Sequence, residues 1–375
     1  MAEGSRRPAW AEVDLGAIAA NAATLARLAG PARLCAVVKA DAYGHGAVPV
    51  AAAALRGGAA ELAVALVDEG VELREAGITA PVLVLSEPAH EAMEEACARD
   101  LTPTLYTEGG VDLAEAASRA VGNGTPWPVE LKVDSGMHRV GADPADVPGL
   151  VERIEESSWL ALQGLWTHFA VADEPESGFT ELQLERFLAV AKHCPPARLH
   201  AANSAGLIAW PASRLDLVRC GIALYGYAPS AAVAPFLESE GASLRPALSW
   251  KARVTLVRRV PADDAVSYGL RRPLGHDATV ATIPLGYADG IPRAYFEQEG
   301  EVLVGGRPRR LCGTVTMDQV MVDCGDDGVQ PGDEVVLIGE QGGARLSADD
   351  WAARLGTISY EVVTRIGPRV PRLHL

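Results

Sequence analysis

The chain has 375 residues, with 33 Lys and Arg against 49 Asp and Glu, a net charge of −16 at pH 7. That balance argues against nucleic acid or an anionic membrane as the main partner. A composition of 49% hydrophobic and 22% charged residues is that of a globular chain with a large core, and the length suits two domains or one barrel with an appendage.

The opening MAEGSRRPAWAEVDL (1–15) lacks the apolar run of a secretory leader. Its AWAEVDL reads as a strand that can pair with a second domain. Asp14 is placed as N-cap of a helix in which Leu15, Ile18, Ala22, Leu25 and Leu28 share a face. From there to residue 221, apolar strands alternate with helical patterns. The strands are LCAVVK (34–39), ELAVAL (61–66), VLVLS (82–86), TPTLY (102–106), VELKVD (129–134), LQGLWTHF (162–169), RLHAANS (198–204) and LDLVRCG (215–221). In TELQLERFLAVAKHC, Thr180 and Gln183 have capping-box spacing. The prolines of HCPPARLH (193–200) suit a loop entering a strand better than a metal site. Eight strands with interleaved helices predict an α/β fold, a (β/α)8 TIM-type barrel, with a doubly wound sheet second.

After about residue 242 the texture changes. SWKARVTLVRRV, ATVATIPLG, EVLVGGRPRRLCGTV, QVMVDCG and DEVVLIG are strands separated by Gly, Pro and Asp turns, with few helical stretches. The expected division is a barrel over 1–241 and a mainly β domain over 242–375. No uncharged run approaches the roughly 20 residues that span a bilayer. The six cysteines are scattered without CxxC, as buried reduced thiols of a cytoplasmic protein would be. No histidine spacing suggests a metal.

In a barrel, catalytic residues stand at the C-terminal ends of the strands. Those ends carry Lys39, Asp134, His168, Asn203, Ser204 and Arg219, polar where the strand interiors read as apolar. A lysine in a dry site has its pKa lowered and becomes a nucleophile for a carbonyl. From position alone, Lys39 is equally well a lysine snorkelling from a strand end. The loops after strands seven and eight, where such barrels commonly hold a phosphate, read ANSAG (202–206) and RCGIALYG (219–226). Ser204 can donate a hydroxyl there, and Gly221 and Ile222 can present backbone N–H groups. A reactive lysine beside a phosphate cradle points to pyridoxal 5′-phosphate; the nucleotide motifs GxxxGK[ST] and GxGxxG are absent.

The successive stretches AVVKADAYGHG, KVDSGMHRVG, THFAVAD, HAANSAG, VRCGIALYG, VSYG, IPLGYADGIPR, GTVTMDQVMVD and TISYEVVTRIG resemble, in order, the motifs of the alanine racemase family. The resemblance covers essentially the whole chain. It implies a pyridoxal phosphate enzyme, a barrel followed by a β domain, working as a homodimer with shared active sites on a small amino-acid substrate. It implies that Lys39 bears the cofactor and that Tyr268 is the second base. Arg219 matches the arginine facing the pyridine nitrogen, and Tyr43, Ser204, Gly221, Ile222 and Tyr360 match the phosphate-binding set. Arg139 and the Met317 backbone N–H match the holders of the substrate carboxylate. His168 matches the histidine bonded to the arginine and the tyrosine, Tyr287 and Arg293 the access-channel residues, and Lys132 a lysine that many members carbamylate.

Read this way, Lys39 and Tyr268 stand as two bases on opposite faces of an amino acid, interconverting L- and D-alanine and supplying D-alanine for peptidoglycan. Two neighbouring activities are weighed beside this: a broader racemase that accepts serine, and a decarboxylase of the same barrel family. Arg219 argues against the second, whose members place an acidic residue opposite the ring nitrogen. A third reading, a non-catalytic cofactor-binding barrel, lacks a second domain of this kind.

Overall fold

The computed structural model describes residues 7–122, 124–194 and 198–375. Residues 1–6 of the leader question, and Pro195 and Pro196 of the expected loop, lie outside them. The chain forms two compact units. One is Gly16–Ala42 with Gly46–Pro246, and the other is the stretch up to Leu15, Tyr43–His45 and Ala247–Leu375. The first strand, β1 (Ala9–Val13), belongs to the second of these units.

The larger unit is the expected barrel. Its strands are β2 (Arg33–Val37), β3 (Glu61–Val64), β4 (Val82–Val84), β5 (Thr102–Leu105), β6 (Trp127–Lys132), β7 (Leu160–Trp166), β8 (Arg198–His200) and β9 (Leu217–Cys220). All neighbours pair in parallel in the order β8-β7-β6-β5-β4-β3-β2-β9. The ring closes where the Asp216 N–H donates to Leu199 O at 3.0 Å and the Arg219 N–H to Ala202 O at 2.9 Å. Helices cover the outside. Helix Leu15–Ala29 buries Ile18, Ala22, Leu25 and Leu28, the face its spacing predicts. Asn21 on that face donates to Leu224 O and Arg245 O, so its burial leaves no amide donor idle.

The strands end one to four residues earlier than their apolar runs predict, because the chain turns into loops that carry the polar ends. The capping box at Thr180 and Gln183 is not formed. Helix Phe179–Ala191 starts instead from Gly178, a left-handed residue at φ +58° with no side-chain cap. Gln183 is buried; its oxygen accepts from the Ala170 N–H at 2.8 Å and its amide donates to His168 O at 3.2 Å. The loop after β7 uses the amide that the helix end was expected to use.

The second unit is mainly β. It holds β10 (Leu248–Arg253), β11 (Leu256–Val260), β12 (Ala278–Ile283), β13 (Glu301–Val304), β14 (Arg307–Arg310), β15 (Val320–Asp323), β16 (Glu334–Gln341), β17 (Ala344–Leu346) and β18 (Arg372–His374). One sheet runs β14-β13-β16-β10-β1-β18, with β17 on β16; the other runs β11-β12-β15. β1 pairs antiparallel with β10 and parallel with β18. Trp250, Tyr295 and Trp351 fill its core, the last two stacked at 3.8 Å between ring centroids. Trp351 sits on helix Ala348–Leu355, whose Ser347–Asp350 capping box satisfies the first turn.

Candidate active site

Lys39 stands two residues beyond the end of β2 and opens an unusual turn. Ala40, Asp41, Ala42 and Tyr43 all have φ between +51° and +54°, and Gly44 follows at +78°. This is a turn of left-handed helix, costing L-residues roughly 1–2 kcal/mol each. The surroundings hold it in place. The Ala42 N–H donates to Val38 O at 2.9 Å, and Asp41 accepts from Gly46 N through its carbonyl and from Ala47 N through its carboxylate. Glu69 accepts the Ala40 N–H at 2.6 Å with one oxygen and the Ala65 and Leu66 N–H groups with the other. The turn keeps Lys39 half-buried. Burial and the charge of Arg139 lower its pKa, and Glu69 opposes this in part.

Four further side chains meet at the C-terminal ends of β6, β7 and β9. Lys132 is 3% exposed, and burial with the charges of Arg219 and Arg139 brings its pKa down to about 7. Its Nζ lies 4.4 Å from the centre of the Trp166 ring, and the Arg219 guanidinium 4.5 Å from the same ring. Arg219 is buried and donates to His200 Nδ1 at 2.7 Å, Thr167 O at 2.7 Å and Ala201 O at 3.1 Å. Burial lowers its pKa only to about 10, so it stays charged at neutral pH. His168 Nδ1 lies 3.5 Å from Arg219, and burial with the nearby cations pushes its pKa well below the usual value, leaving a neutral ring.

Arg139 is on a loop that leaves β6 at Val133 and returns to bridge it at Ala142. The Asp134 carboxylate accepts the Gly136 and His138 N–H groups and fixes the loop. Gly141, at φ +138°, lies where a Cβ would press on the Asp134 backbone at 2.7 Å. At the neighbouring strand ends, the Ser204 oxygen accepts the Gly221 N–H at 3.0 Å and the Ala223 N–H at 3.4 Å. Its own proton remains to donate. Gly221 and Ile222 open the tight turn Ile222–Tyr225. Lys39, Lys132, Arg139, His168, Ser204, Arg219, Gly221 and Ile222 thus share the mouth of one barrel.

The remaining expected residues belong to the β unit. The Tyr43 and Tyr360 rings lie 6.2 Å apart. Tyr268 is 72% and Met317 52% exposed. Thr314 Oγ1 donates to Tyr268 O at 2.9 Å, anchoring the Tyr268 loop. The Tyr287 N–H donates to Thr316 O at 2.9 Å and the Ala288 N–H to Met317 O at 3.0 Å, setting Tyr287 beside Met317. Gly286 permits that approach, since a Cβ there would strike the Thr316 and Met317 backbone. An open cleft of about 770 Å³ is lined in part by Ser267, Tyr268, Thr316 and Met321. Arg293 is exposed.

The barrel interior is not apolar throughout, as the strand runs had suggested. Arg198 pairs with Glu61 and with Glu130, Arg33 reaches Glu61 at 3.1 Å, and Glu130 Oε2 bonds His200 Nε2 at 2.8 Å. β3 and β8 are three strands apart around the ring, so Arg198 and Glu61 meet only across the lumen, whereas Arg33 reaches Glu61 from the adjacent strand. Neither Glu130, His200 nor Trp166 was singled out from the sequence. The available signal was period-two spacing, Glu130 with Lys132, Arg198 with His200, charges alternating inside otherwise apolar strands. Among the described residues, no His, Cys, Asp and Glu group could hold a metal ion, and no helix is long and apolar enough to cross a membrane.

Models of the alanine racemase N-terminal and C-terminal domains match residues 13–229 and 247–374. The alanine racemase of Symbiobacterium thermophilum is 45% identical over 98% of this chain and 97% of its own length. That of Frankia casuarinae is 43% identical over 97% and 96%. Among solved structures, the alanine racemase of D-cycloserine-producing Streptomyces lavendulae is similar with a TM-score of 0.91, at 40% identity, covering 99% of this chain and 98% of that one.

Proposed function

The chain belongs to the alanine racemase family, and we propose that it interconverts L- and D-alanine at the barrel mouth with pyridoxal phosphate as cofactor, the D-alanine serving peptidoglycan. The observation that carries this is a half-buried lysine of lowered pKa in the same barrel mouth as a buried, charged arginine and a serine-anchored backbone turn. These groups fit a phosphorylated pyridine aldehyde. Lys39 would hold the aldehyde carbon, Arg219 would face the ring nitrogen, and Ser204 with the Gly221–Ile222 turn would hold the phosphate. Tyr43 and Tyr360 join the phosphate set by family correspondence.

Bound pyridoxal phosphate supplies an electron-withdrawing ring that acidifies the α C–H bond of the amino acid. The chain does the rest. Lys39, its pKa lowered by burial and by Arg139, takes or gives a proton at Nζ on one side. Tyr268 does so at Oη on the other. Arg219 keeps its protons up to about pH 10, with three N–H bonds to His200, Thr167 and Ala201, and so hands none to a group facing it. That restraint limits delocalisation of charge and favours racemisation over transamination. Arg139 and the Met317 N–H hold the substrate carboxylate. Tyr268 acts from the second copy of a homodimer, and Tyr287 and Arg293 line the access channel.

Lys132 is assigned as a carbamylated lysine that positions Arg139. Its amine combines with CO2 to give a carbamate and release one proton. A pKa near 7 supplies the neutral amine that CO2 attacks. Arg219 and Arg139, the charges that oppose an ammonium, favour the carbamate anion. The function is tested by incubating purified protein with pyridoxal phosphate and L-alanine and following D-alanine with a stereospecific oxidase. Production no greater than that of Lys39→Ala would overturn the reading.

A further inference from the structure

His200 has two ring nitrogens with opposite tasks. Nδ1 lies 2.7 Å from Arg219 Nη1, which can only donate, so Nδ1 accepts. Nε2 lies 2.8 Å from Glu130 Oε2, which as a carboxylate can only accept, so Nε2 carries the proton. The contacts admit one tautomer of a neutral ring. His200 and Glu130 are both fully buried, and the ring stacks on Trp166 at 5.6 Å and 14°. The charged groups around His200 are Glu130, Arg219 and Arg198. Burial alone would push Glu130 up, but the N–H bonds from His200 and Arg198 and the charge of Arg198 outweigh it and hold the acid well below the usual carboxylate range. Burial lowers the pKa of His200 in spite of Glu130, so the ring is neutral.

Arg198 fixes which oxygen of Glu130 does what. Its Nε donates to Oε1 at 3.0 Å, and its Nη2 bonds the same oxygen. Oε2 is thereby left to His200.

We propose that Glu130 is a positioning residue for Arg219: through His200 it fixes the imidazole tautomer whose Nδ1 anchors the guanidinium. The chain of contacts runs Arg198–Glu130–His200–Arg219 from the lumen to the mouth. The proposal deepens the function given above and rests on Arg219 being the group that faces the cofactor ring. Its chemical content is orientation. Two guanidinium N–H bonds go to carbonyls, and the bond to His200 sets the third direction. Without an acceptor at Nδ1, that edge of Arg219 meets an N–H, and the guanidinium must turn away.

Glu130→Gln separates orientation from packing, because the two side chains have nearly the same shape. Arg198 requires an oxygen at its end of the amide, so the NH2 group faces His200. Nε2 must then accept, the proton moves to Nδ1, and Nδ1–H opposes Arg219. Removing Arg198 as well lets the amide turn over, offer its oxygen to Nε2 and restore the original tautomer.

The test uses 15N-histidine NMR on the cofactor-free protein, with His200 assigned by its loss in His200→Gln. In the wild type, His200 is expected neutral, protonated at Nε2, and unchanged wherever the fold is intact. In Glu130→Gln the proton is expected at Nδ1, and in Glu130→Gln/Arg198→Met back at Nε2. On the loaded enzyme, Glu130→Gln is expected to lower kcat about 10²-fold, the scale of a misplaced reacting group. The ratio of transamination to racemisation should rise, and the double variant should recover most of both. A wild-type His200 protonated at Nδ1 or at both nitrogens overturns the proposal, with no variant needed should Glu130→Gln not fold. So does a Glu130→Gln enzyme with the wild-type tautomer and reaction ratio. If the tautomer moves as expected but no form makes D-alanine, the Glu130–His200–Arg219 coupling stands and the proposed function fails.

Discussion

Lys132 couples stability to pH in a direction that can be worked out. Its folded pKa is about 7 against the ordinary 10.5. Between those values the unfolded chain binds the proton and the folded chain does not, so stability rises with pH across the window. In bicarbonate-free buffer, urea denaturation is expected to show this rise from about pH 7 toward 10, and Lys132→Met to remove it. Equal slopes in the two proteins would show that Lys132 is solvated. With 13C-bicarbonate, a carbamate resonance is expected in the wild type and lost in Lys132→Met. The proposed bases give a second expectation. Lys39→Ala should abolish racemisation and the covalent attachment of cofactor after borohydride reduction. Tyr268→Phe should cut α-proton exchange from one enantiomer by about 10²–10⁴, the usual range for a lost general base, and spare the other. Equal losses for both enantiomers in deuterium exchange would count against two bases.

The element that presents Lys39 is under conformational strain, and this is measurable. Ala40 is exposed, yet its φ of +54° disfavours β-branched side chains. Ala40→Val is expected to destabilise by at least about 1–2 kcal/mol, while Ala40→Gly should be neutral or stabilising. Glu69→Ala strips three backbone N–H groups of their acceptor, at a cost of about 1–3 kcal/mol. Chemical denaturation of the three variants is the check, and a Val variant as stable as wild type would mean that the turn is not left-handed. The strand before it was legible, since LCAVV is apolar on both faces and breaks at a lysine. The turn was not, because Ala, Asp, Ala and Tyr carry no glycine where the left-handed run begins; it is held by backbone bonds to Val38 and Gly46 together with the tertiary contact of Glu69. The same limit hid the use of Gln183. Capping spacing is a local signal, and the amide's partners lie on the loops after β6 and β7. Glu130 is hidden for a related reason: an acid within VELKVD looks like the solvated side of a strand until β8 brings Arg198 and His200 against it.

On the scale of the whole molecule, the expectation that decides most is assembly. Tyr268, Leu270, Tyr287 and Met317 are 72%, 66%, 44% and 52% exposed in the single chain. Large side chains of this kind exposed on neighbouring loops are what the proposed dimer contact would cover. In the proposed homodimer, that surface of one copy completes the barrel mouth of the other, so each site draws Lys39 from one chain and Tyr268 from its partner. A two-fold dimer then has two equivalent mixed sites. Lys39→Ala chains and Tyr268→Phe chains should each be inactive alone. In a mixed dimer, one site collects both defects and the other neither, so co-expression is expected to recover up to about half the wild-type activity per mixed dimer. Differently tagged chains and tandem purification isolate that species, and its mass establishes its composition. If mixed dimers of confirmed mass show no more activity than either variant alone, Tyr268 serves its own barrel, and sharing of the site between copies must be abandoned.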